Sequence, residues 1–230
     1  MNSGYVSSLP VAQVSTDARA TFITRTYLHL LGAIIGFVAI QVVLFKTGAA
    51  ESIARAMLGF SWLLVLGLFM GASWLASRLA HTAQSKVSQY IGLSLLVTAQ
   101  AIIFVPLLFV AMRFQPNAIN NAAQVTLFGF GALTVIAFMT RKDFSFLRGI
   151  LFWGMLMAMG AIVISLIAGF QLGNFFSLIM VAFAGAAILY DTSNVIHHFP
   201  EDRYVGAAME LFASVALMFW YVLSIFLNRD

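Results

Sequence analysis

An all-α integral membrane protein with seven transmembrane helices is the fold the sequence predicts, and three observations predict it. Hydrophobic residues fill 62% of the 230 positions and charged residues only 9%, whereas soluble domains carry about 25% charge. The mean hydropathy is +0.97. The apolar residues also fall in long runs and not in the period-two alternation that the strands of a membrane β-barrel require. A hydrocarbon core about 30 Å thick takes about 20 apolar residues per helix, and seven segments reach or approach that length.

Before the first of them, Met1 to Thr21 has no apolar core and no small-residue cleavage site, so it reads as a polar tail and not a signal peptide. Residues 1–24 are expected to form a cytosolic tail and residues 25–230 the membrane domain. The first span is Tyr27 to Phe45, with Gly32 and Gly36 four apart; the second is Met57 to Leu75, with Gly67 and Gly71 at the same spacing. Small residues so spaced let neighbouring backbones approach, which predicts tight packing within the monomer. The third span, Tyr90 to Met112, contains Pro106, which removes a backbone donor and predicts a kink. The second and third spans are rich in Phe, Trp and Leu and are expected to face lipid.

Ala122 to Met139 and Ile150 to Phe170 are uninterrupted apolar runs. The sixth span, Leu172 to Ile196, turns polar without a break after Gly185, acquiring Asp191, Thr192, Ser193, Asn194, His197 and His198. An ionised carboxylate in hydrocarbon costs roughly 2.5 to 3.5 kcal/mol even on lenient insertion scales. Asp191 should therefore face protein or water. The seventh span, Val205 to Leu227, carries the other intramembrane acid, Glu210.

Alternating the loops between two sides puts Arg19, Arg25, Arg78, Lys86, Arg141, Lys142, Arg148 and Arg203 on one side, and Lys46, Arg55, Arg113 and Arg229 on the other. Eight against four places the N-terminus in the cytosol and the C-terminus outside. The basic excess follows from membrane orientation and needs no nucleic acid. The absence of cysteine excludes disulfides, thiolate catalysis and cysteine metal sites.

Enzyme signatures are missing: there is no HExxH, P-loop, GxSxG or Gly-rich dinucleotide turn. His29 lies one turn inside the first span and reads as a hydrogen-bonded interfacial residue. His197 and His198 are adjacent, so on a helix they point about 100° apart and do not share a metal. No cofactor is expected. An intramembrane aspartyl protease needs a second motif, Gly-x-Gly-Asp, which does not occur. Counted from their helix ends, Asp191 and Glu210 each lie roughly 9 Å inside the same boundary. Two carboxylates at one depth in low dielectric would not both ionise, which is a pH sensor in outline; the competing reading pairs Glu210 with headgroups or Arg203. Arg78, at the end of the second span, is a candidate counter-ion.

The run Leu189-Tyr190-Asp191-Thr192-Ser193-Asn194-Val195-Ile196-His197, followed by Tyr204-Val205-Gly206-Ala207-Ala208-Met209-Glu210-Leu211-Phe212, resembles the signature of the transmembrane Bax inhibitor family. Thr140-Arg141-Lys142-Asp143-Phe144-Ser145-Phe146-Leu147 resembles the family's loop between the fourth and fifth helices, and Arg25-Thr26-Tyr27 the start of its first helix in the bacterial YccA-like branch. The resemblance implies seven helices with the last one central and surrounded by the other six. It implies either a pH-sensitive calcium leak channel latched by two aspartates, or, in the YccA-like branch, a protein that restrains the membrane protease FtsH. Asp191 matches the first aspartate. Where channel-type members carry the second, this chain has Leu211-Phe212-Ala213-Ser214, and serine there is also the tendency of YccA-like members. Glu210 lies four residues before Ser214 on the same helix face. Asp191, Glu210 and Ser214 are therefore expected to form one polar cluster, with Glu210 replacing the missing aspartate.

Overall fold

The computed structural model describes residues 9–82 and 85–228; the start of the polar tail at positions 1–8, and Arg229 and Asp230, lie outside them. Among the described residues the helices are α1 (Thr16–Lys46), α2 (Ala49–Gly59), α3 (Trp62–Thr82), α4 (Lys86–Phe114), α5 (Pro116–Thr140), α6 (Leu147–Ala168), α7 (Gly173–His197) and α8 (Tyr204–Leu227). Seven of these, all but α2, are long and apolar enough to cross a membrane. The protein is an all-α multi-pass membrane protein, as its run lengths predict.

Helix α1 starts eleven residues before the expected Tyr27, because Ser15 caps it by accepting from the Ala18 amide at 3.3 Å and Asp17 follows in the first turn. Ahead of it, a single 3-10 turn spans Val11–Gln13, and Val11 is fully buried. The described part of the expected tail is therefore this turn and the start of α1, with Val11 and Phe22 buried and most other side chains exposed. Helix α2 divides what hydropathy joins. The expected second span, Met57 to Leu75, crosses an extended residue at Phe60, after which the Ser61 carbonyl accepts from Leu64 and Val65 to start α3. With Ala50 and Ala54 buried and an exposed Glu51–Arg55 pair, α2 is a short amphipathic helix.

Helices α4 and α8 share the centre. In their most apolar stretches 56% and 50% of residues are buried, against 11 to 22% in the other spans, so α4 is core and not the lipid-facing layer its composition suggests. Its cover comes from α1, α2, α3, α5 and α8. Helix α8 packs against α1, α3, α4, α5 and α7, whereas the α6 backbone approaches α7 and α3 but not α8. Pro106 is buried inside α4, which runs unbroken through it.

Tight packing occurs at a glycine the spacing does not single out. A Cβ on Gly92 would lie 2.6 Å from the Ala76 carbonyl oxygen and 2.9 Å from the Ala80 amide, so α3 and α4 touch backbone to backbone there. Cβ atoms on Gly32, Gly67 or Gly71 would meet nothing within 4 Å, and one on Gly36 only Val97 at 3.7 Å. Regular spacing of small residues marks permission for close approach and does not supply the partner.

The loops grouped by charge converge at one end of the bundle, called here the N-terminal face. The Val11 amide donates to the Phe199 carbonyl at 2.8 Å, Lys86 Nζ donates to the Asp202 carbonyl, and Arg203 Nη1 donates to the His81 carbonyl at 2.9 Å. All three contacts close on the α7–α8 turn, residues 198–203.

Candidate functional site

Helix α7 ends because the Asn194 carbonyl accepts from both the His198 and Phe199 amides, at 2.8 and 3.0 Å, which tightens its last turn. After the turn, α8 begins at Tyr204 with a run of small residues, Gly206, Ala207 and Ala208. These let α7 and α3 lie close on either side of its first turns. The polar side chains of α7 and α8 are thereby enclosed.

Ser214 Oγ donates to Asp191 Oδ2 at 2.5 Å, and both residues are 7% exposed. A carboxyl group removed from water and from lipid thus has a hydroxyl partner on the neighbouring helix, which is what its burial requires. The bond also sets the depth. Asp191 lies six residues inside the end of α7 (197 − 191), whereas Ser214 lies ten inside the start of α8 (214 − 204). Glu210, four residues before Ser214, lies one turn nearer the start of α8.

At that outer level Glu210 Oε1 accepts from His81 Nε2 at 3.2 Å, with both side chains about one-third exposed. His81 comes from α3 and is the site residue that sequence reasoning misses. It lies three residues beyond Arg78, on the same helix face. The Arg78 guanidinium instead sits over the Trp74 ring, 5.0 Å from its centroid. The imidazole fits against α8 because residue 206 is glycine; a Cβ there would lie 3.1 Å from His81 Nδ1. The structure thus brings Asp191 and Ser214 together in an inner pair, and Glu210 and His81 in an outer one.

The remaining histidines serve as ties. His29 Nδ1 donates to the Arg25 carbonyl at 2.7 Å, and its Nε2 is hydrogen-bonded with the Tyr90 hydroxyl at 2.9 Å. His197 Nδ1 donates to the Ser193 carbonyl at 3.0 Å. Among the described residues no three His, Asp or Glu side chains converge as a metal-holding group.

The α5–α6 loop is clamped beside this site. The Phe144 amide donates to Ser193 Oγ and His198 Nε2 donates to Asp143 Oδ2, both at 2.9 Å. The Ser145 backbone amide on its carboxylate, helped by His198, holds Asp143 below the usual carboxylate range, although partial burial opposes this. A depressed folded value means that this anchor is present above the unfolded value of about 4 and is lost as pH falls through the folded one. Asp143→Asn should therefore speed hydrogen exchange at the Phe144 and Ser145 amides several-fold at pH 7. The unaltered chain should show that increase only below about pH 4; equal exchange in the two proteins at pH 7 contradicts the clamp.

A cleft of about 390 Å³ opens between this loop and the helix ends, lined by Ser145, Arg148, Tyr190, Asn194, His198, Phe199, Pro200 and Glu210.

A family model described as inhibitor of apoptosis-promoting Bax1 matches residues 19–230. An uncharacterized Pseudomonas aeruginosa protein is 37% identical over 113 residues, 48% of this chain and 50% of its own length. An uncharacterized Vibrio cholerae membrane protein is 29% identical over 119 residues, 51% and 52% of the two chains. The Escherichia coli protein named modulator of FtsH protease YccA is 35% identical over 94 residues, 40% of this chain and 42% of its own. The chain spans about half the length of the curated relatives it matches.

Proposed function

The chain belongs to the Bax1 inhibitor family, and from that premise we propose that it is a non-enzymatic modulator of an FtsH-type membrane protease in the bacterial inner membrane. The likeness over 94 residues to a relative named for that role carries the reading. The family and that relative are described as an inhibitor and a modulator, not as enzymes. On this reading the N-terminus is cytosolic and the C-terminus periplasmic, following the eight-to-four division of basic residues. The N-terminal face is then what a cytosolic protease domain meets. Two chain segments are fastened there to the α7–α8 turn, through Val11 and through Asp143. Co-purification of the full chain with the protease, and a longer half-life for a membrane substrate when the chain is co-expressed, are the expected results. No association and an unchanged half-life overturn the reading.

A second reading, a pH-sensitive leak for calcium or protons gated at Asp191, is favoured by one observation: the buried Asp191–Ser214 pair and the Glu210–His81 pair are one turn apart along α8. Here Asp191, Glu210 and Ser214 would act as the pH-sensing cluster, with His81 taking the counter-ion place first given to Arg78. Purified chain in liposomes should then pass calcium or protons in a pH-dependent way that Asp191→Asn alters. Absence of flux at every pH removes this reading and leaves the first intact.

A further inference from the structure

Helices α1 and α4 run side by side from the N-terminal face, and between them lies a groove of about 390 Å³ lined by His29, Gly32 and Gly36 from α1 and by Ser94, Val97 and Thr98 from α4. The two helices keep one register along it. The His29 ring meets Tyr90, Gly36 comes to Val97, and Gln41 Nε2 donates to the Ala101 carbonyl at 2.7 Å. One turn before His29 and Tyr90, at the mouth of the groove, stand Arg25 and Lys86. We propose that this groove binds one anionic glycerophospholipid, with its phosphate at Arg25 and Lys86 and an acyl chain between α1 and α4.

One aromatic ring places both cations. The Arg25 guanidinium lies 5.5 Å and the Lys86 ammonium 4.1 Å from the centroid of Tyr204, the first residue of α8, where the face of the ring attracts positive charge. Neither cation pairs with a carboxylate among the described residues. Lys86 Nζ donates to the backbone carbonyl of Asp202, whose side chain faces Arg203 at 3.7 Å. An ammonium has three donors, so Lys86 keeps N–H groups for an anion, and the exposed Arg25 fork can take two phosphate oxygens at once. Two cations on one ring with no acid paired to either are complementary to a phosphate.

The groove continues from these charges by helix register. His29 follows Arg25 by four residues, and Tyr90, Ser94 and Thr98 follow Lys86 at intervals of four, so each row runs down one helix face. Gly32, Ser94 and Thr98 are exposed, a Cβ on Gly32 would meet nothing within 4 Å, and Ala33, Leu93 and Val97 form a buried apolar floor. The Thr98 hydroxyl donates back to the Ser94 carbonyl at 2.8 Å and so needs no polar partner from an occupant. Depth selects a lipid over a free phosphoester. The 20 residues between Arg25 and Lys46 include no Asp, Glu, Lys or Arg, about the length that crosses a hydrocarbon core. Arg25 thus stands at headgroup level and the groove at the level of acyl chains. A neutral transmembrane helix would fill the groove and leave both cations without an anion.

The test is lipid retention. The full chain is purified from nanodiscs of equal phosphatidylglycerol and phosphatidylethanolamine, and the bound lipid is counted by native mass spectrometry. A several-fold excess of phosphatidylglycerol is expected. Arg25→Gln should lose most of that excess, even where Lys86→Gln, which also breaks the tie to Asp202, fails to fold; Arg25→Lys should recover part of it. Arg141→Gln removes a charge from the α5–α6 loop and should leave the excess unchanged. Gly32→Val puts a side chain into the groove without touching either cation, and should cut bound lipid several-fold at an unchanged melting temperature. A bound ratio equal to that of the nanodisc, the same excess in Arg25→Gln, or an unchanged lipid count in Gly32→Val overturns the proposal. Displacement of the lipid by millimolar glycerol 1-phosphate overturns the lipid assignment and identifies a site for a soluble phosphoester. A dimer that Gly32→Val converts to monomer with its lipid count unchanged overturns the proposal and assigns the groove to a second copy of the chain.

Discussion

Gly92→Val is expected to leave little or no folded protein in detergent extracts, and Gly92→Ala to lower thermal stability measurably. The cause is local. Even the single Cβ of alanine would come within 2.6 Å of the Ala76 carbonyl oxygen and 2.9 Å of the Ala80 amide, and both are backbone atoms that cannot rotate away. Helix α3 would have to move off α4, one of the two buried helices. Overpacking a filled core typically costs about 1–3 kcal/mol, and the branched side chain adds further clashes. The same substitution at Gly32, where a Cβ meets nothing within 4 Å, should leave yield and melting temperature unchanged. Equal losses at both positions contradict the assigned contact.

Ser214→Ala should destabilise the protein by about 1–3 kcal/mol, the usual cost of leaving a buried polar group without its partner. It removes the hydroxyl that donates to Asp191 at 2.5 Å in a site closed to water. The control is a double-mutant cycle. In an Asp191→Leu background no carboxylate remains to satisfy, so Ser214→Ala should cost nearly nothing. Thermal unfolding of the four proteins in one detergent measures the coupling; identical losses in both backgrounds show that Ser214 acts through packing alone.

The seven spans are legible in the sequence because lipid demands long apolar runs, and such runs need no knowledge of what packs on what. Boundaries are less legible. Hydropathy is continuous from Met57 to Leu75, so the extended residue at Phe60 leaves no trace in it. At α1 the capped polar start from Thr16 lies below any hydropathy threshold although Ser15 and Asp17 signal it. Which helix is buried is barely legible, since lipid and protein interior both select apolar side chains; α4 and α3 look alike in composition, yet α4 is core.

The site divides the same way. Asp191 is visible from sequence alone because a carboxylate inside an apolar helix needs a reason. Its partner Ser214 is reached through the resemblance, because it stands where channel-type members carry the second aspartate; counting from the helix ends does not give it. His81 is hidden because nothing in the sequence ties the end of α3 to Gly206, whose missing side chain makes room for the imidazole.

The claim that this chain modulates a membrane protease is tested most directly by reconstitution. An FtsH-type protease and a membrane-protein substrate are placed in nanodiscs with or without the full chain, and substrate loss is followed over time with ATP present. Modulation predicts a several-fold slower degradation when the chain is present, with the effect rising with its amount. An identical degradation rate at every ratio of chain to protease contradicts it.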